Sequence, residues 1–411
     1  MRAPDEDRLA RAVLGRLSEP NDRQLFVLVR DVGAPEVVRE IEAGTSSLPG
    51  LDHYRARLSG APTPVTAAAE QDLVRGERDQ VRYVVPGDLE WPSQLGDLEL
   101  EAVRGHREAA PPLGLWVCGA ENLRIAVLRS VAVVGARAAT AYGSRVASDL
   151  GSGLAERGYA AVSGGAYGID ASVHRGSLAL GGMTVSVLAS GVDVPYPVGH
   201  QSLFERIAAE GLLVSELPPG SHPTKLRFLD RNRLIAALTR GTVLVEAAFR
   251  SGALSTTLWA RRMQRPVLGV PGPVTSTLSA GVHRELVEGR ATLVTGAADV
   301  VAAVGSMGET FAEGEAEETR QQASRSGARR PEDQLDHLAR RVLDAMPVRR
   351  TLTREQLARE SGLSADLVGQ RVRQLRLLGL VEEVGGSWRL AAAPGLAPGL
   401  AARRIDVGQG G

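Results

Sequence analysis

Several residue types and motifs are scarce or missing in this sequence, and each gap narrows what the chain can do. Cys118 is the single cysteine, which excludes an intramolecular disulfide or a cysteine-rich zinc site and suits a reducing compartment. No uninterrupted apolar run reaches membrane-spanning length. The opening Met1-Arg2-Ala3-Pro4-Asp5-Glu6-Asp7 is too acidic for a signal peptide, so the expected location is the cytoplasm, with no membrane partner. An excess of positive charge is also missing. Basic and acidic residues number 48 each, so no global field would draw in a polyanion, and any anion site must be a local cluster.

Lysine is nearly absent. Lys225 is the only one, and arginine supplies every other basic side chain, as a GC-rich genome would favour. The surviving lysine lies a few residues before Arg231-Asn232-Arg233, a placement that makes it a candidate ligand group. Nucleotide fingerprints are lacking too. There is no Walker A sequence, and Gly164-Gly165-Ala166-Tyr167-Gly168 does not have the Gly-x-Gly-x-x-Gly spacing of a dinucleotide loop. Catalytic constellations are equally scarce: His174, His200, His222 and His283 are scattered without metal-ligand spacing, and Cys118 has no motif around it. His174 reads as a core or helix-stabilising residue and Asp170 as a partner of the glycine-rich turn. No metal or cofactor is expected.

What is present is an α/β rhythm. With 43% hydrophobic and 23% charged residues, the composition is that of an ordinary globular protein of several domains. From Val131 to about Val300, short apolar runs recur, at 131–134, where there is no alternation, and at 160–163, 185–188, 212–214, 242–245 and 266–270. Helical patterns separate them, and several of the runs end in glycine. Unbroken apolar runs suit strands covered on both faces, and strand–helix alternation predicts an extended Rossmann-like, doubly wound parallel sheet. Residues 81–130 add two short strands to one edge. Open sheets of this kind collect ligands where their strands hand over to helices. Gly135, Gly164, Gly165, Ser251 and Gly252 fall at such junctions, where backbone N–H groups can meet an anion, and Arg137, Lys225, Arg231 and Arg233 supply charge. If Arg231 and Arg233 are both helical, they lie on different faces, one toward the crevice and the other free for a structural ion pair.

The flanks differ from the centre. Residues 1–80 have helical spacing broken at Glu19-Pro20-Asn21, Gly33-Ala34-Pro35 and Leu48-Pro49-Gly50, which predicts a small helical domain, SAM-like or helix-hairpin-helix-like, read first as an accessory packing domain. Residues 306–330 are acidic and then polar, as in a flexible linker, and 392–411 read as a disordered tail rich in Gly, Pro and Ala. Between them, 331–391 carry three helical patterns and a hairpin, the order of a winged helix. Gln370, Arg371, Arg373, Gln374 and Arg376 on its third helix offer a DNA-reading face, and Glu382 and Glu383 on the wing oppose one, so duplex DNA and protein both stay open as partners.

Taken together, Val134-Gly135-Ala136-Arg137, Ser163-Gly164-Gly165-Ala166-Tyr167-Gly168-Ile169-Asp170, Phe228-Leu229-Asp230-Arg231-Asn232-Arg233, Val245-Glu246-Ala247, Ser251-Gly252-Ala253-Leu254-Ser255-Thr256 and Val270-Pro271-Gly272 resemble the bacterial DNA-processing protein A family, DprA/Smf, across about residues 80–305. The resemblance implies a non-catalytic protein of DNA uptake and recombination. Such a protein binds single-stranded DNA in the crevice, forms a homodimer, loads the RecA recombinase and displaces single-strand-binding protein. By position it implies Arg137, Gly164, Gly165, Lys225, Phe228, Arg231 and Asn232 as the DNA-contacting set, to which the residues' own chemistry adds Arg233, Ser251 and Gly252. The sequence departs from the family at Leu229, where proline is common, and at Gly165, where alanine or a small hydroxyl residue is common. Two other readings compete. One is a nucleotide- or phosphoribosyl-hydrolysing enzyme on a similar sheet, whose Pro-Gly-Gly-x-Gly-Thr motif is absent after Glu246; the other is a winged-helix regulator with a ligand-sensing domain.

Overall fold

In a computed structural model, residues 5–44, 48–103, 109–305, 335–346 and 351–391 are described. The expected linker at 306–330 and the tail at 392–411 lie outside them. The chain divides into two compact units, Met1–Thr310 and Phe311–Gly411.

The first unit opens with five helices: α1 (Asp5–Leu17), α2 (Arg23–Val32), α3 (Ala34–Glu42), α4 (Asp52–Gly60) and α5 (Val65–Arg78). Asp22 starts α2 by accepting from the Leu25 N–H. Gly33, at φ +89°, then turns the chain straight into α3, a backbone conformation that L-residues with side chains rarely adopt. There follow β1 (Val81–Val84), α6 (Gly96–Val103), β2 (Leu115–Cys118), α7 (Leu123–Ala126), β3 (Ser130–Val134), α8 (Ala141–Glu156), β4 (Ala160–Ser163), α9 (Ile169–Ala179), β5 (Thr184–Val187) and α10 (Gln201–Glu210). The unit closes with β6 (Leu212–Ser215), α11 (Lys225–Ala237), β7 (Thr242–Leu244), α12 (Ala253–Arg262), β8 (Val267–Gly269), α13 (Ala280–Val287), β9 (Thr292–Leu293) and α14 (Ala297–Val304).

The nine strands form one sheet in the order β1-β2-β6-β5-β4-β3-β7-β8-β9. From β6 to β9 all neighbours are parallel, whereas β1 pairs antiparallel with β2 and β2 antiparallel with β6. The expected doubly wound sheet is present, and the two strands of the 81–130 segment extend one edge of it. The run 131–134 lacks alternation because both faces of the sheet are covered. Along β3, Ala132 and Val134 join one core while Val131 and Val133 join the core on the opposite face. At the extended edge, Tyr83 and Trp116 stack with ring centroids 4.5 Å apart and carry the sheet into the core of the five-helix bundle. Arg8 of α1 pairs with Asp88 at 2.8 Å and donates to the Tyr83 carbonyl, so the bundle is hydrogen-bonded to the edge strand as well as packed on it.

The second unit holds helices His337–Asp344, Arg354–Ser361 and Ala365–Leu377, then the hairpin β10 (Val381–Val384) and β11 (Ser387–Leu390). Thr353 and Gln356 form a capping box on its second helix, and the Ser364 side chain caps its third. Leu352 bridges to Trp388, which ties the start of the second helix to the hairpin. Val342, Leu357, Val368, Val372, Leu375 and Val381 make its core.

Candidate functional site

The strand order reverses direction at β3. The chain moves from β3 outward through β4, β5 and β6, then returns to place β7 on the other side of β3. Connections leaving β3 and β7 therefore part to opposite faces of the sheet, and a crevice opens beyond the strands' carboxyl ends. It is a cleft of about 580 Å³, lined among others by Gly135, Arg137, Lys225, Phe228, Arg231, Asn232, Ser251 and Gly252. A larger hollow, about 710 Å³, lies between α1, α5 and β1, but its arginines are already neutralised: Arg8 by Asp88 and Arg82 by Glu90. The cleft beyond β3 and β7 is the one whose rim keeps exposed cations.

Helix α11 supplies more of its wall than any other element. Thr224 starts the helix by accepting from the Arg227 N–H at 3.3 Å, and Lys225, the first helical residue, is exposed. Phe228, Arg231, Asn232 and Ile235 follow at i, i+3, i+4 and i+7 and form the face that lines the cleft. Arg227 and Arg233 fall on other faces. Arg227 pairs with Glu19 at 2.8 Å, and Arg233, fully buried, pairs with Glu216 at 2.7 Å and donates to Asn21 at 3.1 Å. Arg233 is thus the structural ion pair and sits outside the cleft.

Arg137 and Arg231 sit beside the same ring but do different work. Arg137, on the loop after β3, is exposed, with its guanidinium 4.7 Å from the Phe228 centroid in cation–π contact. Arg231 lies 5.9 Å from that ring but is only 6% exposed. It donates to the carbonyls of Gly164, at 2.9 Å, and Val187, which pins the ends of β4 and β5 together. Burial pulls its pKa down to about 10; nearby Asp170 opposes that shift and Arg137 adds to it. Asp170 is pushed up, again mainly by burial, while Arg231 and the turn's N–H groups hold it down.

The glycine-rich turn is closed from within. The Asp170 carboxylate accepts from the N–H groups of Gly164, at 3.2 Å, and Ala166, at 3.3 Å, the donors that an incoming phosphate would otherwise use. The two glycines serve by what they omit. A Cβ on Gly164 would stand 2.4 Å from the Arg231 guanidinium, and one on Gly165, at φ +72°, 2.5 Å from the Phe204 ring. Across the cleft, the Asn232 amide donates to the Gly252 carbonyl at 3.3 Å, joining α11 to the start of α12, where the Ser251 hydroxyl accepts from the Ala253 N–H.

Groups considered for catalysis are engaged elsewhere. Glu246 is buried at the end of β7, and Thr140 donates to both its oxygens through its N–H and hydroxyl. His174 is buried against β5. Thr184 donates its only hydroxyl proton to the Ala161 carbonyl, so it accepts from His174 Nδ1 at 2.7 Å, and burial lowers the imidazole pKa to about 3. Among the described residues, no three His, Cys, Asp or Glu side chains gather as metal ligands would, and no helix is long and apolar enough to cross a membrane.

Of the ten residues expected from the sequence, seven line the cleft: Arg137, Lys225, Phe228, Arg231, Asn232, Ser251 and Gly252. Gly164 and Gly165 shape it from behind, and Arg233 faces away. The sequence motifs did not reveal Tyr196, which also lines it. Its signal was positional, since the loop after β5 opens on the same sheet edge as the loops after β3 and β4.

Such a fold, with a cationic and aromatic cleft at its switch point, is a Rossmann-like sheet with a cleft suited to an anionic ligand. The pattern of the family described as DNA recombination-mediator protein A matches residues 82–305, and the chain belongs to that family. A Mycobacterium tuberculosis protein named as a DNA processing protein DprA is 43% identical over 402 residues, covering 96% of this chain and 98% of that one. The DNA processing protein DprA of Streptococcus pneumoniae is 41% identical over 181 residues, covering 44% of this chain and 64% of that one. The X-ray structure of DNA processing protein A from Streptococcus pneumoniae superposes with a TM-score of 0.60 at 27% identity, covering 74% of this chain and all of that chain.

Proposed function

We propose that this chain binds single-stranded DNA across the cleft at the carboxyl edge of the sheet, without cleaving it, and delivers the strand to a RecA-type recombinase in the cytoplasm. One observation carries the reading: Arg137 stacks on Phe228 beside exposed Lys225, in a cleft whose deeper arginine is already committed to backbone carbonyls. Exposed cations suit phosphates, and a ring in a cleft suits a base that has no partner strand. A duplex keeps its bases paired inside and would offer that ring only backbone. With positive and negative side chains in balance across the chain, the attraction is local and should be salt-sensitive and weakly sequence-specific.

The test is a gel-shift comparison of single- and double-stranded DNA with the parent protein, Arg137→Ala and Lys225→Ala. Preference for single strands, weakened by each substitution, supports the reading; equal binding of both DNAs, or indifference to both substitutions, overturns it. Loading of the recombinase and displacement of single-strand-binding protein are checked by strand exchange on coated DNA, and homodimerisation by light scattering. We read the second unit as a winged helix. On its third helix Arg371 pairs with Asp336 at 3.2 Å and Arg376 with Glu383 at 3.0 Å while Arg373 is exposed, so duplex DNA and protein both stay open as its partner.

A further inference from the structure

Tyr196 lies in the loop between β5 and α10, 45% exposed, with its ring centroid 5.8 Å from that of Phe228 and the two planes 56° apart. A braced loop holds it there. The Ser190 hydroxyl donates to the Val194 carbonyl at 2.7 Å, the Gly191 N–H to the Ser221 carbonyl at 2.9 Å, and the His200 N–H to the Pro197 carbonyl at 2.9 Å. A lone exposed aromatic is ordinary on a protein surface. This one lines the cleft, and its neighbour Phe228 already carries the Arg137 guanidinium over its ring. Phe249, another exposed aromatic on this edge, follows β7 and is not part of the cleft wall.

We infer that Tyr196 is a base-stacking residue, taking the nucleobase next to the one at the Arg137–Phe228 pair, so that the bound strand leaves the cleft over the loop between β5 and α10. The inference rests on the single-strand reading above and adds a direction to it. The two ring planes are inclined at 56°. Bases lying flat on them are therefore inclined to each other, which an unpaired strand permits and the parallel stack of a duplex does not. Stacking of this kind tolerates any base, because each has a π face.

The experiment titrates the full-length protein with an oligothymidylate and with an abasic oligonucleotide of equal length, following fluorescence anisotropy. Tyr196→Ala is expected to weaken oligothymidylate binding about tenfold, to leave abasic binding and the melting temperature unchanged, and Tyr196→Phe to bind as the parent does. Unchanged oligothymidylate binding by Tyr196→Ala overturns the inference, as does an equal loss on both oligonucleotides or a loss seen with Phe249→Ala in its place. If the parent binds neither oligonucleotide, the single-strand reading falls and this inference with it. If Arg137→Ala weakens both ligands while Tyr196→Ala weakens neither, the cleft reading stands and only the stacking role is lost.

Discussion

The turn that opens α9 and the rim formed by Arg137 and the start of α11 lie on one sheet edge, and in sequence both look like anion sites, one rich in glycine and the other in cations. Their chemistry is opposite. At the α9 turn the N–H groups of Gly164 and Ala166 are taken by Asp170, and the Gly164 carbonyl by Arg231, so every charge there has an internal partner. At the rim, Arg137 and Lys225 are exposed, and the arginine rests on an aromatic ring. A glycine-rich strand-to-helix turn binds an anion only if the protein has not already supplied one. Here the buried pair builds the cleft, and the exposed pair lines its rim.

The contrast breaks most visibly at Arg231. Arg231→Ala leaves two buried carbonyls and the Asp170 carboxylate without their cation and should cost about 3 kcal/mol in urea unfolding at neutral pH. A loss below about 0.5 kcal/mol, with DNA affinity abolished, would instead move Arg231 to the binding side. Gly164→Ala forces a methyl group against the same buried guanidinium and should cost about 2 kcal/mol by the same measurement, although no side chain is removed. His174 gives a control for burial without any ligand role. Its folded pKa, about 3, lies below the ordinary 6.5, so between those values the unfolded chain binds the extra proton; stability is complete above about pH 6.5 and falls as pH drops. At pH 5.5 the loss should be about 1.4 kcal/mol, and His174→Leu should flatten that part of the pH–stability curve. The smallest effect on stability belongs to the rim: Arg137→Ala should shift unfolding by less than about 0.5 kcal/mol, while weakening single-strand binding about tenfold and lowering its salt slope by about 0.7.

The sheet was legible because its strands are covered on both faces. Val131-Ala132-Val133-Val134 must serve two cores at once, which leaves an unbroken apolar run ending at Gly135, and the same cause marks β4, β6, β7 and β8, whereas β5 turns Thr184 and Ser186 to its second face. The opposite orientations of Arg231 and Arg233 also followed from helical spacing. What spacing could not give was depth. Arg137 and Arg231 are the same residue type near the same ring, and only the packing of the β4 and β5 ends over α11 makes one a surface cation and the other a buried brace. Arg233 finds Asn21 from 212 positions earlier in the chain, a contact that no local pattern encodes. Tyr196 stayed hidden for a related reason: it lies beyond Gly191 and Asp193 in its loop, away from the strand end and from any cation cluster, and it reaches the cleft only because β5 lies two strands from β3.

The sequence by itself determined the order of strands and helices, the family and the set of candidate side chains, because these depend on periodicity, turn residues and linked motifs that are local along the chain. Tertiary structure alone decided which candidates face water. Exposure is a property of what packs around a group, and in this cleft an aspartate six residues beyond Gly164 and an arginine from another helix fill the glycine turn before any ligand can.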